Sequence, residues 1–276
     1  MSVLTVAVFT SNGLWTPPTS TALVDVILIG GGGGGGGGFR SNFIFQSLGS
    51  CGGNPGNVTK VTSLPVNILP NNVTVIVGTG GSGGAGVISE PANPGQPGTA
   101  SSFYIYEAVG GYGGNRAISG LIPVTQPSQP MNILYNYGYG NSARISQGLA
   151  GLTSLTTNIT NSNDFLPKPT GGGDGGYFNN IGDFNLGNNG GFIFCPILNG
   201  ATAISSTYAT YYGCGGAFGT TIGGTGSNYG GGGGGANNNL AAGTGGTGGN
   251  GAGGCVIITS YSNTSISLTD LGYSSP

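Results

Sequence analysis

Nine consecutive glycines, residues 30–38, follow directly on the apolar stretch LVDVILI at 23–29. A run without any Cβ has two physical outcomes. It is a flexible linker, or it is an extended polyglycine II helix, which at ~3.1 Å per residue would reach roughly 28 Å. The second form has no internal hydrogen bonds, so its N–H and C=O groups must pair with neighbouring chains or with water. Glycine permits that pairing because adjacent backbones can approach closely. Other runs recur along the chain: GTGGSGGAG at 78–86, GGYGG at 110–114, GGGDGG at 171–176, six glycines at 230–235 and GTGGTGGNGAGG at 243–254. Six such runs favour mutually bonded extended chains, since a linker needs only one. The strict Gly-X-Y period of collagen is missing, which excludes a collagen triple helix.

The strand signals are few and clear. They are VLTVAVF at 3–9, LVDVILI at 23–29, VTVIV at 73–77, FYIY at 103–106 and VIITS at 256–260, all apolar and rich in β-branched or aromatic residues. No ten-residue stretch carries a helical period, and Gly, Pro and Asn punctuate every window. The expected fold is mainly β with essentially no helix. Strands near 3–9, 23–29, 73–77 and 256–260 would form a small β-sandwich, joined to a bundle of polyglycine II-like chains.

Charge excludes several functions. The chain has five basic and seven acidic residues among 276, and no histidine. Five cations cannot line a nucleic-acid groove. Histidine-based zinc sites and catalytic triads are ruled out. A glycine run after a strand invites a nucleotide-loop reading, but Phe39-Arg40-Ser41 follows Gly38 with no Lys-Ser/Thr and no helix start. Asp174 and Asp183 lie nine residues apart in glycine- and asparagine-rich sequence and read as turn residues rather than a glycosidase pair. No catalytic residue, metal site or cofactor is expected. The four cysteines, Cys51, Cys195, Cys214 and Cys255, are widely spaced with no CxxC; buried thiols and disulfides both remain open. The N-terminus MSVLTVAVFTSNGLW shows no export signal, and no run of 18 apolar residues occurs, so synthesis in a cytosol without membrane insertion is expected.

The middle of the chain, 115–212, has another texture: glycine thins, and Asn, Ser, Thr, Pro, Tyr and Phe take over. Tyr135, Tyr137 and Tyr139 alternate with Asn and Gly; Tyr208, Tyr211 and Tyr212 form a second cluster; Phe178, Phe184, Phe192 and Phe194 form a third. Tyrosine beside Ser, Gly and Asn is the composition of recognition loops, because it supplies rigid contact area at low entropic cost. Packing of the same aromatics on the glycine chains is the competing reading.

Taken in order, the blocks resemble the glycine-rich domain of bacteriophage tail-fibre proteins. FTSNGLWTPPTSTALVDVILIGGGGGGGGGF at 9–39 is similar to its opening, and ILPNNVTVIVGTGGSGG at 68–84 to its proline turn, Val-rich strand and V-G-x-G-G. GQPGTASSFYIYEAVGGYGG at 95–114 and GTGGTGGNGAGGCVIITSY at 243–261 are similar to its later blocks. The resemblance implies one domain over 1–262, with framework at 1–114 and 213–262, a decorated insertion at 115–212 and a C-terminal tail at 263–276. It implies a virion structural protein, a tail-fibre or tail-tip component made in the host cytoplasm. Its partners would be other virion proteins, further copies of itself, and a host-surface carbohydrate or outer-membrane protein. Receptor contact would fall to Tyr135, Tyr137, Tyr139, Tyr208, Tyr211, Tyr212 and Phe184. Two rivals stand beside it: a capsid decoration or fibre protein without a receptor role, and a bacterial cell-surface glycine-rich protein.

Overall fold

The computed structural model describes residues 2–39, 47–48, 50–88, 91–119, 177–178, 184–185, 222–236 and 245–262. Its strands are β1 (Ser2–Phe9), β2 (Gly13–Trp15), β3 (Thr21–Ile29), β4 (Ser47–Leu48), β5 (Val58–Pro65), β6 (Val73–Ile76), β7 (Ser101–Phe103), β8 (Tyr106–Ala108), β9 (Ile118–Ser119), β10 (Tyr177–Phe178), β11 (Phe184–Asn185) and β12 (Cys255–Ser262). Among the described residues the helical content is a single 3-10 turn, Val66–Ile68. The chain is mainly β, as its β-branched runs predict.

Two antiparallel four-stranded sheets, ordered β1-β12-β3-β5 and β2-β6-β7-β8, pack face to face. Alternation along β3 sends Val24, Val26 and Leu28 inward, where they meet Trp15, Val73, Val75 and Phe103 from the other sheet. The edge of the Phe103 ring meets Trp15 with centroids 5.6 Å apart. The near-continuous apolar character of β3 has its own cause. Its outer face is covered too, with Ile29 clustering with Val58, Cys255 and Ile257, and Ile27 and Tyr229 packed against them. Asp25, the charged residue in that strand, accepts the Ser63 N–H at 2.7 Å and the Tyr261 hydroxyl at 3.1 Å.

The expected single strand at 103–106 is instead a hairpin. Phe103 pairs with Tyr106, and the chain reverses through Tyr104 and Ile105, with Tyr104 at φ 56°. Apolar character alone does not separate a strand from a tight reversal between two short strands. β5 also went unmarked by composition, because Lys60, Ser63 and Pro65 interrupt its apolar residues. Lys60 is half-buried, while Ser63 and Pro65 are exposed on the last part of that edge strand.

Six strands of the sandwich continue straight into glycine-rich segments. Residues 30–38 follow β3, 77–87 follow β6 and 109–117 follow β8; residues 50–57 lead into β5, 92–99 into β7 and 245–254 into β12. Segment 30–38 is buried throughout and sits at the centre of these chains. Its N–H groups donate in a period of three. Gly30, Gly33 and Gly36 bond to Asn57, Asn54 and Cys51; Gly31, Gly34 and Gly37 to Thr99, Gln96 and Asn93; Gly32, Gly35 and Gly38 to Ala252, Gly249 and Gly246, all at 2.8–3.0 Å. Its carbonyls accept with the same period from three other segments: Gly81, Gly84 and Val87; Gly111, Gly114 and Ala117; Gly233 and Ala236. Residue numbers fall along the three acceptor segments and rise along the three donors, so antiparallel and parallel neighbours alternate around the centre.

A side chain at any position from Gly30 to Gly37 would strike backbone. A Cβ at Gly34 would overlap the Ser82 carbonyl, one at Gly35 the Gly234 carbonyl and one at Gly36 the Asn115 carbonyl. Several of the segments around the centre have one open face, and the sequence follows. GGSGGA at 80–85, GGYGGN at 110–115 and GGTGGN at 245–250 carry a side chain at every third place. Ser82, Ala85, Tyr112 and Asn250 are accordingly exposed.

Candidate functional site

The two ends of these segments differ. At one end the strands of the sandwich begin. At the other, the parallel segments finish on Phe39, Val87, Ala117 and Ala236, each a residue with a side chain closing a glycine-rich run. Phe39, Ala92 and Ala117 are buried together there, with Val87 packed against them. This apolar cluster sits at the end of the glycine-rich segments remote from the sandwich. Ser50 secures the same end: its Oγ lies 2.7 Å from the Gly36 carbonyl oxygen and 2.8 Å from that of Ala236, and accepts the Ala236 N–H at 2.7 Å.

Beyond that cluster lies a small antiparallel sheet ordered β11-β10-β4-β9. Leu48 pairs with Ile118, Ser47 with Phe178, and Phe178 with Phe184. Phe184 is thus placed, by its backbone, at the end remote from the sandwich. The other sequence-derived contact residues, Tyr135, Tyr137, Tyr139, Tyr208, Tyr211 and Tyr212, lie outside the described residues. Composition did not single out Phe39, Ser50 or Ala117. Their signal is positional, since they stand where a three-residue glycine period begins or ends.

The chain connections share this end. Residues 40–49, 88–91, 118–221 and 237–244 each join two segment ends on the side of Phe39 and Ala236. On the sandwich side, 222–227 and 230–236 are joined by a tight turn, with Gly230 donating to Gly253.

Electrostatically the described tip is sparse. Arg116, Ile88 and Ile222 are exposed at segment ends there. Among the described residues no three His, Cys, Asp or Glu side chains gather as a metal site would need. The resolved titration shifts belong to the sandwich. Burial raises the Cys255 thiol from its ordinary 9.0 to about 12. Burial raises Tyr261 too, aided by its hydrogen bond to Asp25 and the charge of that carboxylate. Cys51 and Cys255 are both buried thiols; Cys195 and Cys214 lie outside the described residues.

No curated protein matches this sequence. The profile of a glycine-rich domain matches residues 8–261, taking in every glycine-rich segment and the strands from β2 onward, with the last two residues of β1. The chain is a member of that glycine-rich domain family.

Proposed function

We propose that this chain is a virion structural protein, a tail-fibre or tail-tip component, and that it contacts the host surface through the end of its glycine-rich segments. In this reading the cross-bonded segments are a polyglycine II bundle and serve as a stiff mount. Chains tied laterally at every residue offer little freedom along the bundle, so what sits at its tip is held in a fixed orientation. One observation carries the reading: the connections 40–49, 88–91, 118–221 and 237–244 all join segment ends at the side remote from the sandwich. Loops gathered at one end of a rigid scaffold are the usual arrangement of a recognition surface. The Tyr-, Asn- and Ser-rich texture of 115–212 agrees, as does the order of blocks that resembles phage tail-fibre domains. Carbohydrate or an outer-membrane protein loop suits such a surface. Tyrosine stacks on the apolar faces of sugar rings, while Asn and backbone groups bond their hydroxyls.

The test is a triple variant, Tyr135→Ala, Tyr137→Ala and Tyr139→Ala, carried in particles and read in two ways. Adsorption to host cells is expected to fall at least tenfold while particle assembly stays intact. Lost assembly, or unchanged adsorption, would make the region a structural element of the particle and overturn the reading.

A further inference from the structure

We infer that β1 is an interface between two copies of this chain, paired antiparallel edge to edge about a two-fold axis at Val6. The sandwich has four edge strands among the described residues, β1, β5, β2 and β8, and they differ. A bare strand edge offers its N–H and C=O groups to any other strand. Proteins blunt such edges by shortening them or by placing charge, proline or bulges on them. Three of the four edges carry those devices. β2 and β8 are three residues long, and β8 exposes Glu107. β5 carries Lys60 and Pro65, and Ser63 in it stands at φ 56°. Its pairing with β3 also shifts register between Val24 and Val26. The fourth edge, β1, is eight residues long with neither charge nor proline. One register shift, between Val3 and Thr5, marks its start, and Thr5 to Phe9 then pair regularly with β12.

The side chains of β1 show that this edge stands open. Ala7 and Phe9 pack on the core. Leu4, Val6 and Val8 alternate with them and are 38%, 55% and 41% exposed. Thr5 is exposed as well, so three consecutive residues, 4–6, are uncovered. Aliphatic side chains in a row on a long, uncharged edge strand mark an association surface.

The strand's own sequence selects a second copy as the occupant. No charged side chain occurs before Asp25, so two β1 strands meet with no like charges opposed. Antiparallel pairing centred on Val6 sets Val6 against Val6, Leu4 against Val8 and Thr5 against Ala7. Every exposed aliphatic residue of β1 then faces another. A centre at Ala7 would set Leu4 against Thr10, and a centre at Thr5 would set Val8 against Ser2. β2 stands on the same side of the sandwich, since the Phe9 ring lies against Gly13, and it adds exposed Leu14. A wall seven residues long and two sheets deep, about 24 Å by about 20 Å, buries on the order of 1,000 Å² over two copies. That is the lower end of specific interfaces and suits a dimer of micromolar affinity. The dimer joins two four-stranded sheets into one of eight strands. Because β3 and β12 run straight into glycine-rich segments, antiparallel pairing points the two tips in opposite directions. None of this depends on the receptor reading.

Sedimentation of the full-length chain between about 1 µM and about 100 µM tests the interface. The wild type is expected to pass from monomer to dimer over that range. Val6→Lys sets two cations opposite each other, with Cβ atoms about 5 Å apart. It should weaken dimerisation at least about tenfold, with Tm within about 2 °C of the wild type because the site is exposed. An equal mixture of Val6→Lys and Val6→Glu chains should recover the dimer, since unlike charges then face each other. Val8→Lys, opposite Leu4, is the second variant and should weaken the dimer likewise. A wild type that stays monomeric at about 100 µM would overturn the inference. So would a dimer that both lysine variants leave intact, one that the Lys/Glu mixture does not restore, or one lost instead on Ile105→Lys at the β7–β8 turn.

Discussion

Cys255 is the residue at which the sandwich meets the glycine segments, and its thiol has an environment with a measurable consequence. The folded state holds the proton up to about 12, against an ordinary 9.0. Between those values the folded chain binds more protons than the unfolded one, so stability falls as pH rises. The slope is about 1.4 kcal/mol per pH unit over that window, and it vanishes below pH 9. Tyr261, also raised, adds to the loss at higher pH. Denaturant midpoints between pH 8 and pH 11 should therefore drop steeply in the wild type and less steeply in Cys255→Ala; equal slopes would contradict the assignment. Asn250 shows another residue-scale device. At the rim of the segments an N–H can lack a backbone acceptor, and the Asn250 Oδ1 accepts the Gly83 N–H at 2.8 Å. Thr99 does the same for the Thr79 N–H at 2.7 Å. This explains why Asn and Thr recur in the third place. Asn250→Ala should cost about 1 kcal/mol or less, because water can reach the freed donor; chemical denaturation would show it.

At the scale of elements, the strands make the sandwich and the glycine period makes everything beyond it. Phe103 is fully buried between the sheets against Trp15, and Phe103→Ala should destabilise by roughly 3–5 kcal/mol. A midpoint shift below 1 kcal/mol would mean that the two sheets do not share that core. How much of this was legible depends on the kind of signal. β1, β3, β6 and β12 were readable because their apolar runs are long. β5 was hidden by Lys60, Ser63 and Pro65, and the Tyr104–Ile105 reversal was hidden by its own apolar side chains. Segment 92–99 was missed because Asn, Pro and Gln replace glycine at its exposed positions, and segment 50–57 because Asn54, Pro55 and Asn57 stand at buried positions among its glycines. Pro94 and Pro97 occupy outward places, and only Gly95 and Gly98 face the central run. The three-residue period was written in GGSGGA and GGYGGN, yet its meaning depends on lateral neighbours that sequence order does not reveal. Of the candidate contact residues, Phe184 was brought to the tip sheet by its pairing with Phe178. No pattern within the tyrosine clusters themselves marks that end of the molecule.

For the whole molecule, low charge and lateral bonding belong together. With 4% charged residues, a surface of Asn, Ser, Thr and peptide groups would meet the host target proposed above through apolar contact, stacking and hydrogen bonds. Host binding should then change less than about threefold between 50 mM and 200 mM salt, since screening acts on charges; a steep loss would contradict a recognition surface of this composition. The central claim is that backbones touch along Gly30 to Gly37 of the central run and leave one place in three open on surrounding segments such as 80–85. Thermal unfolding of one pair of variants tests it most directly, because Gly34 and Ser82 are in contact but differ in what lies beyond Cα. The Cβ of Gly34→Val would enter the Ser82 carbonyl, whereas the Ser82 side chain is exposed. Gly34→Val should lower Tm by about 10 °C or abolish folding, and Ser82→Val should leave it within about 2 °C. Wild-type melting by Gly34→Val, or equal losses in both variants, would contradict the account.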